Sequence, residues 1–207
     1  EPRKVIYYVT DEKQQSQYIN MFKAQGMDAV ILTHNIDQPF VSQLESKNED
    51  IKFQRIDADL TENFKEEISE EEKETIESKA TTLTELFRKA LSKDKLEVKV
   101  EKLKDENVSS MLTISEESRR MQDMMKMYSM PGMDMGGDMF GAEGETLVLN
   151  ANHPLVQYIF DHKKAKNIPI ICEQLYDLAV LANKPLSPEA MTKFVARSNE
   201  IMLLLTK

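Results

Sequence analysis

Apolar positions along the chain change period several times, and each change marks an element. Val5–Val9 (VIYYV) is an unbroken apolar run of β-branched and aromatic residues, which predicts a buried strand. Asp11 is placed to cap a following helix in which Tyr18, Met21 and Phe22 share one face, and Gly26 supplies its stop. Ala29–Leu32 is a second short strand, so the first thirty residues or so fit one right-handed βαβ unit. A short helix over Phe40–Leu44 and a third strand carrying Ile51, Phe53 and Ile56 complete this part. The stretch from Asp57 to Ala80 is polar and acidic, with Glu70, Glu71 and Glu72 in a row, and reads as a solvated helical linker. TTLTELFRKAL then places Leu83, Leu86, Phe87 and Leu91 on one helical face. LEVKVEKL alternates strictly, which predicts a half-buried antiparallel strand, with Met111, Leu112 and Ile114 on the return strand. Thr146–Leu149 is one more strand.

The rest is helical. HPLVQYIF has Pro154 at a helix start, and His153 before it is a cap. Ile171, Leu175, Leu178 and Ala182 form one stripe. NKPLSPEA breaks the chain, after which Ser187 is a good N-cap, Pro188 takes N1 and Glu189 sits at the positive helix end. Met191, Phe194, Val195, Met202 and Leu205 line the last helix, and Ile201–Leu205 is apolar all the way round. Such a helix needs neighbours on every side. Either it is a core helix of its own chain, or a second copy covers it, and the pattern favours the second copy. The expected dimer face comprises Leu175, Leu178, Met191, Phe194, Val195, Ile201, Met202 and Leu205. The fold class is α+β: a small βαβ subdomain over 1–60, an acidic helical linker over 61–80, and an α+β C-terminal domain over 81–207 that ends in a helical dimerisation bundle.

Composition narrows the function. Of 207 residues, 41% are hydrophobic and 30% charged, as in a globular protein. A net charge of −9 argues against a nucleic-acid footprint or an anionic membrane surface as partner. Apolar runs such as Ile201–Leu205 are far too short to span a membrane. Cys172 is the only cysteine, which excludes a disulfide framework and fits a reducing, cytoplasmic setting; its apolar helix makes it a packing residue. There is no initiator methionine or signal peptide, so a fragment of a longer parent is expected. The first turn of the βαβ unit, TDEKQQS, has no glycine to admit phosphate and carries Asp11 and Glu12 instead, which argues against a nucleotide site. A small α/β enzyme would need a nucleophile–base or carboxylate pair, and none stands out. His34, His153 and His162 have no spaced partner for catalysis or metal binding. No catalytic residue, cofactor site or metal site is assigned.

One compositional oddity remains. Eight of the thirteen methionines lie between Ser118 and Phe140. Met121, Met124, Met125 and Tyr128 fall at i, i+3, i+4 and i+7, one face of a helix over 116–130 that Ser115 can cap, while Arg119, Arg120, Asp123 and Lys126 lie mainly elsewhere on its surface. The glycine-rich segment over 131–145 that follows has no periodicity and reads as a flexible loop. Three readings compete: a core face, a copper(I) site within 121–139, and an adaptable surface for proteins. Core faces seldom use so little but methionine. The copper reading lacks a nearby histidine or cysteine, and Asp134 and Asp138 are hard ligands. An unbranched, polarizable side chain repacks against many partners, which favours the third.

The order of these segments resembles a known family. VIYYVTDEKQQSQYINMFKAQGMDAVILTHNIDQPFVSQL resembles the small α/β subdomain that ends the middle domain of the 90-kilodalton heat-shock chaperones. LTISEESRRMQDMMKMYSM and ETLVLNANHPLVQYIF resemble that family's C-terminal dimerisation domain, in its bacterial form. The resemblance implies an ATP-driven homodimeric chaperone for non-native client proteins. It also implies that ATP and Mg belong to an N-terminal domain absent from this chain, so this piece is not expected to be an enzyme. The chain ends IMLLLTK, without the acidic tail that recruits cochaperones in eukaryotic cytosolic members. By position, Met121, Met124 and Met125 match the family's client-contacting helix, and Tyr128 joins them by helical spacing. The family often has an acidic and then an aromatic residue after "ID". Here Ile36 and Asp37 are followed by Gln38, Pro39 and Phe40, which makes Phe40 the substitute client contact.

Overall fold

The computed structural model describes residues 4–34, 36–58, 62–115, 118, 120, 121 and 144–206. They fall into two compact units, one within Glu1–Thr61 and Ile114–Glu143, the other within Glu62–Thr113 and Gly144–Lys207.

The first unit runs β1 (Lys4–Val9), α1 (Ser16–Ala24), β2 (Val30–Ile31), α2 (Asp37–Lys47) and β3 (Ile51–Arg55). The sheet order is β2-β1-β3 and both pairings are parallel, so two helical crossovers flank a central β1. Burial along β1 is graded. Tyr8 and Val9 are buried, whereas Lys4 and Val5 are exposed, which corrects the expectation of a strand buried throughout. Asp11 does not cap α1. Its Oδ1 accepts from the N–H groups of Lys13 and Gln14, both at 3.0 Å, and this turn delays the helix until Ser16. Gly26 ends α1 as expected, at φ +64°. Its N–H reaches Lys23 O at 3.1 Å and Met27 N–H reaches Phe22 O at 2.9 Å, the paired bonds of a Schellman stop. α2 starts three residues before Phe40, because Asp37 accepts from His34 N–H at 2.8 Å and a proline in the first turn, Pro39, is tolerated. Tyr8, Val41 and Phe53 form the small core.

The second unit contains α3 (Glu70–Leu91), β4 (Glu97–Glu101), most of β5 (Ser110–Ile114), β6 (Glu145–Asn150), α4 (Pro154–Asp161), α5 (Ile168–Leu181) and α6 (Pro188–Leu204). The acidic stretch is less of a linker than its composition suggests. From Glu70 it is continuous with the amphipathic segment in one 22-residue helix that buries Ile76, Leu83 and Phe87. Ser69 and Glu72 form a reciprocal capping box, and three glutamates meet the positive helix end. Lys102 Nζ donates to Glu72 Oε1 at 2.6 Å.

The second sheet departs from the expected hairpin. Its order is β4-β6-β5, with β4 parallel to β6, so 96–101 and 111–114 are not neighbours. The alternation in β4 holds: Leu96 and Val100 are buried, Glu97 and Lys99 exposed. The partner differs because buried Asn150 organises the connection after β4. Its Oδ1 accepts from Leu103 N–H at 3.1 Å, and its Nδ2 donates to Asp105 O at 3.0 Å and Val108 O at 2.8 Å. The chain thereby passes the end of β6 before β5 begins. β5 and β6 are buried along their whole length, their polar residues Ser110, Thr113, Glu145, Thr146 and Asn150 included. The helices pack with Leu83, Phe87, Leu112, Leu147, Leu149 and Ile159 into one core. No described helix is long and apolar enough to cross a membrane.

Candidate protein-interaction surfaces

α6 owes its start to Ser187, whose Oγ accepts from Ala190 N–H at 3.2 Å, with Pro188 at N1. A helix of 17 residues ordinarily buries an apolar stripe in its own domain. Here the only buried side chain is Arg197, at 9% exposure. Phe194 and Ile201 are half-buried. Met191, Val195 and Met202 recur at i, i+4 and i+11 on the neighbouring face and are exposed, as are Leu203, Leu204 and Leu205. Leu178 on α5 is 44% exposed. Leu175 is different. It is 2% exposed inside the core of the second unit, so it is withdrawn from the expected dimer face. The stripe through Ile171, Leu175, Leu178 and Ala182 mixes positions that face inward with one that faces outward.

Arg197, which is not among the residues expected at the dimer face, attaches α6 to α5. Its Nε donates to Gln174 Oε1 at 3.0 Å and its Nη1 to Glu173 Oε2 at 2.9 Å, while Nη2 donates to Asp177 Oδ2. Gln174 Nε2 donates in turn to Ser198 Oγ at 3.1 Å. A signal was available: Glu173 and Asp177 stand four apart on one helix face, and an arginine interrupts the apolar stripe of the next helix.

The first unit carries the expected client residues that are described. Met121 is 52% exposed and Phe40 54% exposed, and Ile36, Val30 and Ile31 are exposed as well. Met124, Met125 and Tyr128 lie outside the described residues, as do 131–143. Ser115 acts as the cap expected of it, its Oγ accepting from Ser118 N–H at 3.2 Å. Arg120, expected on the solvated side, holds the start of the methionine-rich stretch. It forks onto Glu45 of α2 at 2.6 and 3.0 Å and reaches Phe53 O at 3.2 Å. Phe53 N–H also donates to Glu45, at 2.6 Å. Burial opposes ionisation of Glu45, but Arg120 and Phe53 N–H outweigh it and hold the carboxyl below its usual range.

The remaining candidates for chemistry are structural. His153 is the N-cap of α4, its Nδ1 accepting from Leu155 N–H at 3.2 Å, and partial burial lowers its pKa in keeping with a neutral ring. Cys172 is fully buried, and burial pushes its thiol up to about 12. His162 stacks on Tyr158, with centroids 4.2 Å apart. Among the described residues no cluster of three His, Cys, Asp or Glu side chains is arranged to hold a metal ion.

The described residues thus present exposed apolar surfaces on α6 and on the first unit. The chain is 30% identical to the chaperone protein HtpG of Porphyromonas gingivalis, over 86% of this chain and 26% of that one. It is 32% identical to the HtpG of Bacteroides thetaiotaomicron over 78% of this chain and 24% of that one. It is 29% identical to the HtpG of Treponema denticola over 97% and 31% respectively. It thus spans about a quarter to a third of the length of these relatives. The sequence model of the Hsp90 protein family matches residues 1–206, and the chain belongs to the Hsp90 family.

Proposed function

We propose that this chain is the dimerising and client-contacting part of a cytoplasmic chaperone whose ATP and Mg chemistry resides in other domains of the parent. The observation that carries the reading is α6, which leaves Met191, Val195, Met202 and Leu203–Leu205 exposed while its one buried side chain is an arginine. A self-complementary pairing of this face and Leu178 across a two-fold axis would remove the apolar stripe from water in both copies. Non-native clients would be met by Met121 and Phe40, and by Met124, Met125 and Tyr128, which the sequence spaces on the same helical face as Met121. Methionine suits that task because it repacks without a fixed shape. The copper(I) reading of 121–139 has no support in the family or in these relatives.

Peroxide footprinting tests both surfaces at once. As protein concentration rises, Met191 and Met202 should become protected from sulfoxide formation, while Met121 stays reactive until an unfolded client is added. Equal reactivity of all three under every condition would count against the assignment. Met121→Ser with Phe40→Ser should weaken binding of an unfolded protein and change stability by no more than about 0.5 kcal/mol each, as for exposed sites. A larger loss of stability would show that these side chains serve a core instead.

A further inference from the structure

We infer that the Arg197 network is an electrostatic hinge-pin: charge, more than apolar burial, seats α6 on α5, and so fixes which face of α6 is offered to a second copy. The inference rests on the dimer reading above and adds how the dimerising helix is positioned.

The geometry sets this apart from ordinary helix packing. Arg197 is the one buried side chain of α6. Its guanidinium reaches the carboxylates of Glu173 and Asp177, the Gln174 amide oxygen and, at 3.4 Å, the Glu173 carbonyl. All these acceptors come from just over one turn of α5. A planar fork bonded to several acceptors defines rotation about the α6 axis, which a single ammonium cannot do. Phe194 and Ile201 bracket Arg197 on the α5 side and are only half-buried. If α6 rolled toward α5 to bury Met191, Val195 and Met202, Arg197 would be carried off its carboxylates. The pin therefore opposes the intramolecular burial that would otherwise hide the dimer face. It is also reachable by salt, because the Glu173 side chain is 38% exposed although those of Arg197 and Asp177 are 9% and 14% exposed.

The consequence is a salt dependence of unusual sign. An interface closed by apolar side chains alone should hold or tighten as salt rises. Here added salt should loosen α6 and weaken the dimer. The test measures the dimer dissociation constant of the full chain by sedimentation between about 0.05 and 0.5 M NaCl, for the wild type, Arg197→Met and Arg197→Lys. Amide hydrogen exchange across 188–204 is followed in parallel.

The expected result is faster exchange in α6 for Arg197→Met than for the wild type, with exchange in α3 unchanged. The dimer should be weakened about tenfold or more at low salt and should no longer respond to salt. Arg197→Lys should fall between the two and keep some salt response, which guards against a variant that fails to fold. Unchanged α6 exchange in both variants overturns the inference, as does a wild-type dimer indifferent to salt. A wild-type monomer would overturn the dimer reading; faster α6 exchange in Arg197→Met would still show the pin in that case, and its absence would remove that too.

Discussion

His153 shows how much one side chain can be asked to do without chemistry. It stands before Pro154, accepts one backbone N–H through Nδ1, and needs a neutral ring to do so. Burial lowers its pKa, so its contribution is complete above the unfolded value near about 6.5 and declines as pH falls below it. His153→Ala should cost about 1 kcal/mol in urea unfolding at pH 7. His153→Asn should keep the cap and remove this residue's share of the stability lost between about pH 7 and 5. If the asparagine variant loses as much stability on acidification as the wild type, the histidine is not the titrating group. This cap was legible from the His-Pro pair alone. Arg197 left a fainter signal, the Glu173 and Asp177 pair four apart, and Asn150 left none, because it acts through partners far away in sequence. Nothing in the residues beside Asn150 shows that it holds the 103–108 connection.

At the scale of elements, periodicity and capping signals carried most of the reading. Ser187–Pro188, Ser115 and Gly26 mark helix ends where the sequence placed them. The errors lie in pairing and extent. LEVKVEKL states which residues face inward but not which strand lies alongside, so a parallel neighbour from 145–150 was invisible in it. The acidic stretch concealed the capping box because consecutive glutamates also suit a solvated linker. Glu72 is held at about 2, first by the Lys102 hydrogen bond and then by those of Ser69. Its contribution is therefore present above the unfolded carboxylate value of about 4.3 and is lost as pH falls toward about 2. Glu72→Gln should flatten that part of the acid-unfolding curve followed by circular dichroism. An identical curve would assign the acid limb to other carboxylates.

At the scale of the whole molecule, the second unit has a well-filled core, and among the described residues exposed apolar side chains include two groups of interest. One group is α6 with Leu178, the other is the first unit around Met121 and Phe40. On the proposed function, the first of these surfaces is the subunit contact and the second the client contact. The order of segments carried the family in the sequence, whereas individual surface residues could be placed only once burial was known, as Leu175 shows. The measurement that bears most directly on the account is sedimentation equilibrium of this chain and its Val195→Asp variant, on the order of tens of micromolar. The account predicts a wild-type mass of twice 23.9 kDa, with Val195→Asp shifted to the monomer while its circular dichroism is unchanged. A wild-type monomer at that concentration, or a dimer that Val195→Asp leaves intact, would contradict it.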